Sequence, residues 1–383
     1  IHKAREKRRH GEKEPYTKTY VVHIFVISKA DCTACPMTDT RLHTQANAAS
    51  TATSHSIGIT MGDPSGIGPE ICLKAVQTLT QKPLVSRTGK PISVTLYGDA
   101  RHCLDLARDL RITIDAAQIR DTGAWGPYPV GSVSAQAAKA SASAITAATQ
   151  DCLAGGLSAL VTAPIHKEAW HQAGIPYPGH TEMLAALSLP GEHPWLKVRM
   201  MLLSEDLCVV LDSIHLPLKK AIEDLDPDHL VQTLSIAQKA AAYLGVSQVR
   251  IALAALNPHA SDNGLFGSEE ATILEPTVAK ARALGINVSG PIPADTAFMK
   301  ALGRRPADRD YDLVVCLYHD QGLIPMKLRG IDDGVNITLG LPFVRTSVDH
   351  GTAFDIAGKN TASAASLLAA IHRAADALSS DRL

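Results

Sequence analysis

Four of the sixteen histidines fall within a few residues of the end of an apolar run. They are His166 after LVTAPI, His215 after VVLDSI, His259 after IALAALNP and His319 after DLVVCLY. Short apolar runs of this kind read as buried strands of a parallel sheet, and ligands bind in the crevice beyond the carboxyl ends of such strands. Neutral imidazoles are common ligands for zinc and similar divalent ions, so histidines gathered from separate strands would build a metal site. The bland alternative is that each caps a turn. Asn257-Pro258-His259 and Tyr318-His319-Asp320-Gln321-Gly322 are turn-like sequences that leave their side chains at the sheet rim. Asp262, Asp295 and Asp320 are placed to orient imidazoles or complete a coordination shell. No H-E-x-x-H occurs, which excludes a helical zinc-protease site.

A second set of groups follows His319: Lys327, Asn336 and Arg345. Cations beside a metal suit an anionic substrate, and arginine can grip phosphate or carboxylate with two parallel hydrogen bonds. The alternative is a solvated surface, but Gly334–Thr352 is rich in glycine and poor in charge. A glycine-rich loop, Met61 to Glu70, links the first core strand to a helix start, an arrangement that can hold an anion on free backbone N–H groups. It is neither G-x-G-x-x-G nor a P-loop, so the ordinary dinucleotide and Walker signatures are missing. It also fails G-x-S-x-G, which removes the serine-hydrolase elbow.

The elements that must position these groups alternate. Ser56–Met61, Ile92–Tyr97, Ala159–Thr162, Val198–Leu203, Leu207–Ser213, Val249–Ala254 and Asp312–Leu317 read as strands. Pro69–Thr80, Ser134–Ala154, Asp228–Leu244 and Ser268–Leu284 read as helices. Such alternation predicts an α/β protein with mostly parallel sheets. The chain has 383 residues, enough for about two domains, and no low-complexity tether divides it. With 37 basic and 38 acidic residues the formal charge is −1, which leaves no electrostatic footprint for nucleic acid or an anionic membrane. Aromatics at 4% argue against base-stacking platforms. Val21–Ile27 is too short to span a bilayer. The seven cysteines are scattered and odd in number, which points to a reducing, cytoplasmic setting; Cys32-x-x-Cys35 has no second pair to complete a zinc site. Residues 1–14 hold six basic and three acidic side chains, and residues 38–56 are rich in Thr, Ser, Ala and Gln. Residues 1–55 therefore read as a disordered extension or a gene-prediction artefact, with Met37 as a candidate start and a functional basic arm as the second reading.

From Ser56 onward the chain resembles the 4-hydroxythreonine-4-phosphate dehydrogenases, the PdxA family. The resemblance is carried by MGDPSGIGPE (61–70), TAPIHKEAW (162–170), PGHTE (178–182), NPHASDNGLFGSEE (257–270), GPIPADTAF (290–298), YHDQGLIPMK (318–327) and GVNITLGLPFVRTSVDHGTAFDIAG (334–358). It implies two α/β/α domains around a cleft, of the isocitrate/isopropylmalate dehydrogenase type. The first would be 56–190 plus 335–383; the second, 191–334, would carry the metal site and dimer contacts. It also implies one divalent ion (Zn, Mg or Co) on His215, His259 and His319, with ligands from both chains of a homodimer. Substrate contacts would fall on His180, Thr181, Lys327, Asn336 and Arg345, with His166 in a supporting role. NAD or NADP would lie on His350, Gly351, Thr352, Ala353 and Asp355, in the cofactor loop of the wider fold. The implied reaction oxidises the C3 hydroxyl of 4-phosphooxy-L-threonine to 2-amino-3-oxo-4-phosphooxybutanoate, which loses CO₂ to give 3-amino-2-oxopropyl phosphate in pyridoxal phosphate biosynthesis. Asp295, Asp320 and Lys327 are the candidate proton acceptors. The nearest rival is a dehydrogenase of 4-phospho-D-threonate or 4-phospho-D-erythronate. From another class, a metal-dependent phosphohydrolase would release phosphate without changing nicotinamide absorbance.

Overall fold

The computed structural model describes residues 55–123, 126–303, 305–329 and 334–379. The expectations for Cys32, Cys35, Met37 and the first 54 residues lie outside that range. The strands are β1 (His55–Thr60), β2 (Ile92–Gly98), β3 (Ile119–Asp121), β4 (Ala159–Thr162), β5 (Arg199–Leu203) and β6 (Cys208–Leu211). They continue as β7 (Ile251–Ala254), β8 (Val288–Ile292), β9 (Leu313–Cys316), β10 (Val335–Leu339) and β11 (Val344–Val348). All eleven hydrogen-bond into one sheet in the order β3-β2-β1-β4-β11-β10-β5-β6-β9-β7-β8. Pairing is parallel except where β10 meets β11 and β5, and where β5 meets β6. The α/β class expected from the alternating pattern is the one observed.

Alternation along each strand sorts the core by face. Ile57, Ile59, Ala159, Val161, Val335, Ile337, Val344 and Val348 point to one side. There they meet the helices α1 (Gly68–Gln81) and α12 (Ala365–Ala377). Leu160 points to the other side, where it packs with residues of α3 (Ala135–Leu153), α4 (Lys167–Gln172) and α5 (His180–Ser188). Trp170 of α4 is fully buried, and its indole N–H donates to Ser141 Oγ on α3 at 2.9 Å. This bond fixes the short helix that follows His166. Toward the β8 edge, Val209, Leu211, Val314 and Cys316 meet α10 (Ala294–Leu302) and α11 (His319–Arg329).

Three expected elements differ in detail. Asp228–Leu244 is not one helix: Pro227–Ala237 passes through a 3₁₀ turn, Gln238–Ala240, into a last turn at Ala241–Leu244. Ser268–Leu284 contains a wide π turn at Glu270–Leu274 before the α-helix Glu275–Ala283. The segment Tyr318–Gly322 is not a turn, because α11 begins at His319. Gln321 makes that start possible: its side chain accepts from Leu317 N at 2.8 Å and donates to Ala255 O at 2.8 Å, satisfying the two strand ends beneath it.

The loop after β7 is the most strained backbone described. His259, Ala260, Ser261, Asp262 and Asn263 all have positive φ, between 44° and 68°, where non-glycine residues are held only by their surroundings. Glu270 does the holding. Its buried carboxylate accepts from Leu256 N (2.9 Å) and Asn257 N (2.7 Å), and both Glu269 and Glu270 accept from the Asn257 amide at 2.8 Å. Glu270→Ala strips these partners and is expected to destabilise the fold by about 2–4 kcal/mol, read as a lowered urea midpoint with an unchanged slope.

Candidate active site

The parallel strands β1, β4 and β11 lie side by side and end together, so the loops that leave them share one rim. On the α3–α5 face of the sheet, Arg345 of β11 lies between Thr162 of β4 and Thr338 of β10. Its Nη2 donates to Thr162 Oγ1 at 2.7 Å and its Nη1 to Thr338 Oγ1 at 2.9 Å. Arg345 is only 3% exposed, and its Nε has no partner. Burial lowers its pKa to about 10, with Glu182 and Tyr243 acting the other way, so the group stays charged at neutral pH. Asn336 precedes Thr338 by two positions on β10 and shares that face.

His180 opens α5, and Thr181 follows it. The His180 imidazole lies 6.0 Å from the Trp170 ring between centroids, and its Nε2 is buried without a partner. Burial, joined by the charges of Arg345 and Lys167, holds it well below the usual histidine range, hence neutral. An arginine and a histidine far apart in sequence therefore lie within electrostatic reach of each other, each with an unsatisfied polar atom.

His215 and His319 also meet, with ring centroids 5.7 Å apart. Burial, Lys167 and His319 lower the His215 pKa, and Glu182 opposes them. His319 Nδ1 lies 2.7 Å from Asp320 Oδ1. That contact leaves Nε2 as the outward nitrogen, the usual way a carboxylate orients a metal-binding imidazole. His259 does not join them. It sits on the strained loop with its ring 6.4 Å from that of Phe266, and among the described residues no three His, Cys, Asp or Glu side chains form a metal-sized cluster.

Lys167 and Glu182 were not singled out from the sequence, although both lie inside the family blocks. Lys167 acts on His180 and on His215; Glu182 acts on Arg345 and on His215. The two converge over Gly179, where an added Cβ would lie 3.4 Å from Glu182 Oε2 and 3.7 Å from Lys167 Cε. They therefore put Arg345, His180 and His215 in one electrostatic neighbourhood, with His319 against the last of these. Their signal in the sequence was a charge next to each named residue.

The remaining expected residues are scattered around this centre. Lys327 Nζ is bound to Asp349 Oδ2 at 2.8 Å, which ties α11 to the start of the 350–358 loop. Asp295 is exposed in the first turn of α10, and its side chain has no hydrogen bond or ion pair among the described residues. In the 350–358 loop, His350 Nδ1 lies 3.0 Å from Gly351 O, Ala353 has φ 44°, and Asp355 is exposed. Phe354 stacks on His166 at 4.7 Å and 8°.

The glycine-rich loop serves packing instead of holding an anion. Its N–H groups at Ser65, Gly66 and Ile67 are spent on Asp63 Oδ1, Asp63 O and Thr352 O. Gly66 lies so close to Thr352 that a Cβ would sit 2.7 Å from its carbonyl oxygen. Asp63 is fully buried, with Oδ2 unpartnered; burial raises its pKa to about 6, partly offset by the Ser65 N–H and His166.

Comparison with known proteins places this arrangement in a family. Residues 72–374 match the model for the pyridoxal phosphate biosynthetic protein PdxA. A 4-hydroxythreonine-4-phosphate dehydrogenase of Beijerinckia indica is 45% identical over 324 residues, covering 82% of this chain and 92% of that protein. A D-threonate 4-phosphate dehydrogenase of Salmonella typhimurium is 41% identical over 327 residues, covering 82% and 97%. The crystal structure of a 4-hydroxythreonine-4-phosphate dehydrogenase from Klebsiella pneumoniae superposes with a TM-score of 0.72 at 39% identity, over 86% of this chain and 99% of that one. With the family model spanning most of the chain and such relatives covering four-fifths of it, the chain belongs to the PdxA family of pyridoxal phosphate biosynthetic proteins.

Proposed function

We propose that the chain is a 4-hydroxythreonine-4-phosphate dehydrogenase that oxidises the C3 hydroxyl of its substrate with NAD or NADP and a divalent ion. One observation carries the reading: the buried Arg345 charge, without a carboxylate partner, shares Glu182 with His215, and its neighbour His180 shares Lys167 with the same imidazole, which stands against His319. An anion receptor beside a pair of imidazoles suits a phosphorylated hydroxy acid. Arg345, with His180, Thr181, Lys327 and Asn336, would hold the substrate by groups remote from the reacting carbon, so that binding energy positions it.

The donor chemistry fits a divalent ion. His215 is held neutral and so offers a lone pair, and Asp320 orients His319. Two donors in one chain leave room for His259 of a second copy, as in the expected homodimer. Leu216, Leu218, Leu265, Phe266, Ile324 and Leu328, in the chain segments that carry the three histidines, are all exposed, which suits such a contact. When bound, the ion would supply Lewis-acid charge at the reacting hydroxyl and the dinucleotide would supply the hydride acceptor, with His350, Gly351, Thr352, Ala353 and Asp355 as the residues to hold it. The hydroxyl proton needs an acceptor. Asp320 and Lys327 are engaged with His319 and Asp349, which favours Asp295.

The expected division into 56–190 plus 335–383 and 191–334 has the strand order in its support: β10 and β11 return to the half containing β1–β4. A cytoplasmic location accords with the five described cysteines, all buried and unbridged. No helix among the described residues is long and apolar enough to cross a membrane. Oxidation of 4-phospho-D-threonate or 4-phospho-D-erythronate is the second reading, favoured by the likeness to the Salmonella D-threonate 4-phosphate dehydrogenase.

Chelation should abolish nicotinamide reduction, and added Zn, Mg or Co should restore it; full activity in metal-free protein contradicts the assignment. Arg345→Ala should raise KM for the phosphorylated substrate on the order of a hundredfold, since hydrogen bonds to charged groups contribute about 1.5–3 kcal/mol each. Metal content in that variant should not change. Side-by-side rates on 4-phosphooxy-L-threonine, 4-phospho-D-threonate and 4-phospho-D-erythronate decide between the two readings, the first being expected to give the highest kcat/KM.

A further inference from the structure

Buried arginines usually meet a carboxylate, because an unpaired charge away from water is costly. Arg345 does not: among the described residues no carboxylate comes within 4.0 Å of its guanidinium, and Glu182 acts on it only from farther away. Its fixed partners are two neutral hydroxyls, Thr162 Oγ1 at 2.7 Å and Thr338 Oγ1 at 2.9 Å. The strand order β4-β11-β10 puts one threonine on each side of the arginine. Both threonines are buried, Thr162 completely. Each hydroxyl takes one Nη, so together they fix the plane of the guanidinium and leave Nε without an acceptor. His180 presents a second unpartnered nitrogen in the same neighbourhood.

We propose that Thr162 and Thr338 are positioning residues that hold the Arg345 guanidinium in one orientation without neutralising it, and so set the selectivity of the site for a phosphorylated substrate. This rests on the assignment of Arg345 to the substrate phosphate made above. Aspartate or glutamate at either position would hold the arginine more tightly, but would cancel the charge that an incoming phosphate needs. A hydroxyl supplies direction with no net charge. The arginine keeps its full attraction for an anion, and the sheet fixes where that anion must sit.

The test uses the full chain with inorganic phosphate as probe, titrated calorimetrically, beside kinetics on the phosphorylated substrate. Thr162→Val and Thr338→Val should each weaken phosphate binding roughly tenfold and raise KM by a similar factor, with kcat within about twofold. Thr162→Ser and Thr338→Ser should return both values to those of the parent, and nicotinamide dinucleotide affinity should stay constant throughout. Folded valine variants that bind phosphate like the parent overturn the proposal. So does a parallel loss of dinucleotide affinity, which marks a packing role. Should valine prevent folding, Thr162→Cys and Thr338→Cys carry the same expectation, the thiol being a weak hydrogen-bond partner. If the parent protein oxidises no phosphorylated substrate while the valine variants still lose phosphate, the proposed function fails and the anion-positioning role stands. If the parent oxidises the substrate but its phosphate binding is indifferent to both threonines, the function stands and the positioning role fails.

Discussion

A positive charge buried in the middle of a sheet is the constraint around which the rest is arranged. Arg345 lies in β11 between β4 and β10, on the face covered by α3, α4 and α5. Removing a guanidinium from water costs several kcal/mol unless hydrogen bonds and nearby charge offset it. Thr162 and Thr338 provide the hydrogen bonds, and Glu182 at the start of α5 provides distant negative charge. His180, on the same helix start, is held neutral by the same surroundings. Neither threonine carries charge, so the guanidinium keeps its own. The opposite face of β11 shows the contrast: Val344 and Val348 pack against α1 and α12, and Thr346 donates to Ala370 O of α12.

Around this charge, loops that read alike in the sequence take different roles. The Met61–Glu70 loop has the composition of an anion cradle, yet its N–H groups are spent on Asp63 and Thr352. What its glycines provide is close approach: the loop presses against the 350–354 turn, and His166 stacks on Phe354 at the same junction. The loop after β7 is the reverse case. It carries one candidate donor, His259, on five successive left-handed residues, and it keeps that shape because Glu270 binds the two N–H groups before it. The loop is held firmly at the surface, and it leaves Leu265 and Phe266 exposed beside it.

Much was legible in the sequence because local rules decide it. Apolar strand runs, glycine turns and helix starts are set by side-chain period and backbone freedom, so strands such as Ala159–Thr162 lie where they were expected. The clustering of histidines at strand ends was legible for the same reason, and His215 and His319 do meet. What a short window cannot register is a side chain that reaches another strand. Gln321 turned an expected loop into the first turn of α11 by bonding Leu317 and Ala255, the latter 66 residues away.

The α/β class, the family blocks and the residue types able to bind a metal ion or a phosphate can all be read along the chain, since they follow from composition and spacing. Which groups are charged, neutral or left without a partner is settled by folding. Arg345 keeps its charge and His180 loses its own because of what surrounds each after folding. The pairing of Arg345 with Thr162 spans 183 residues, and burial and strand order exist only once the sheet has formed.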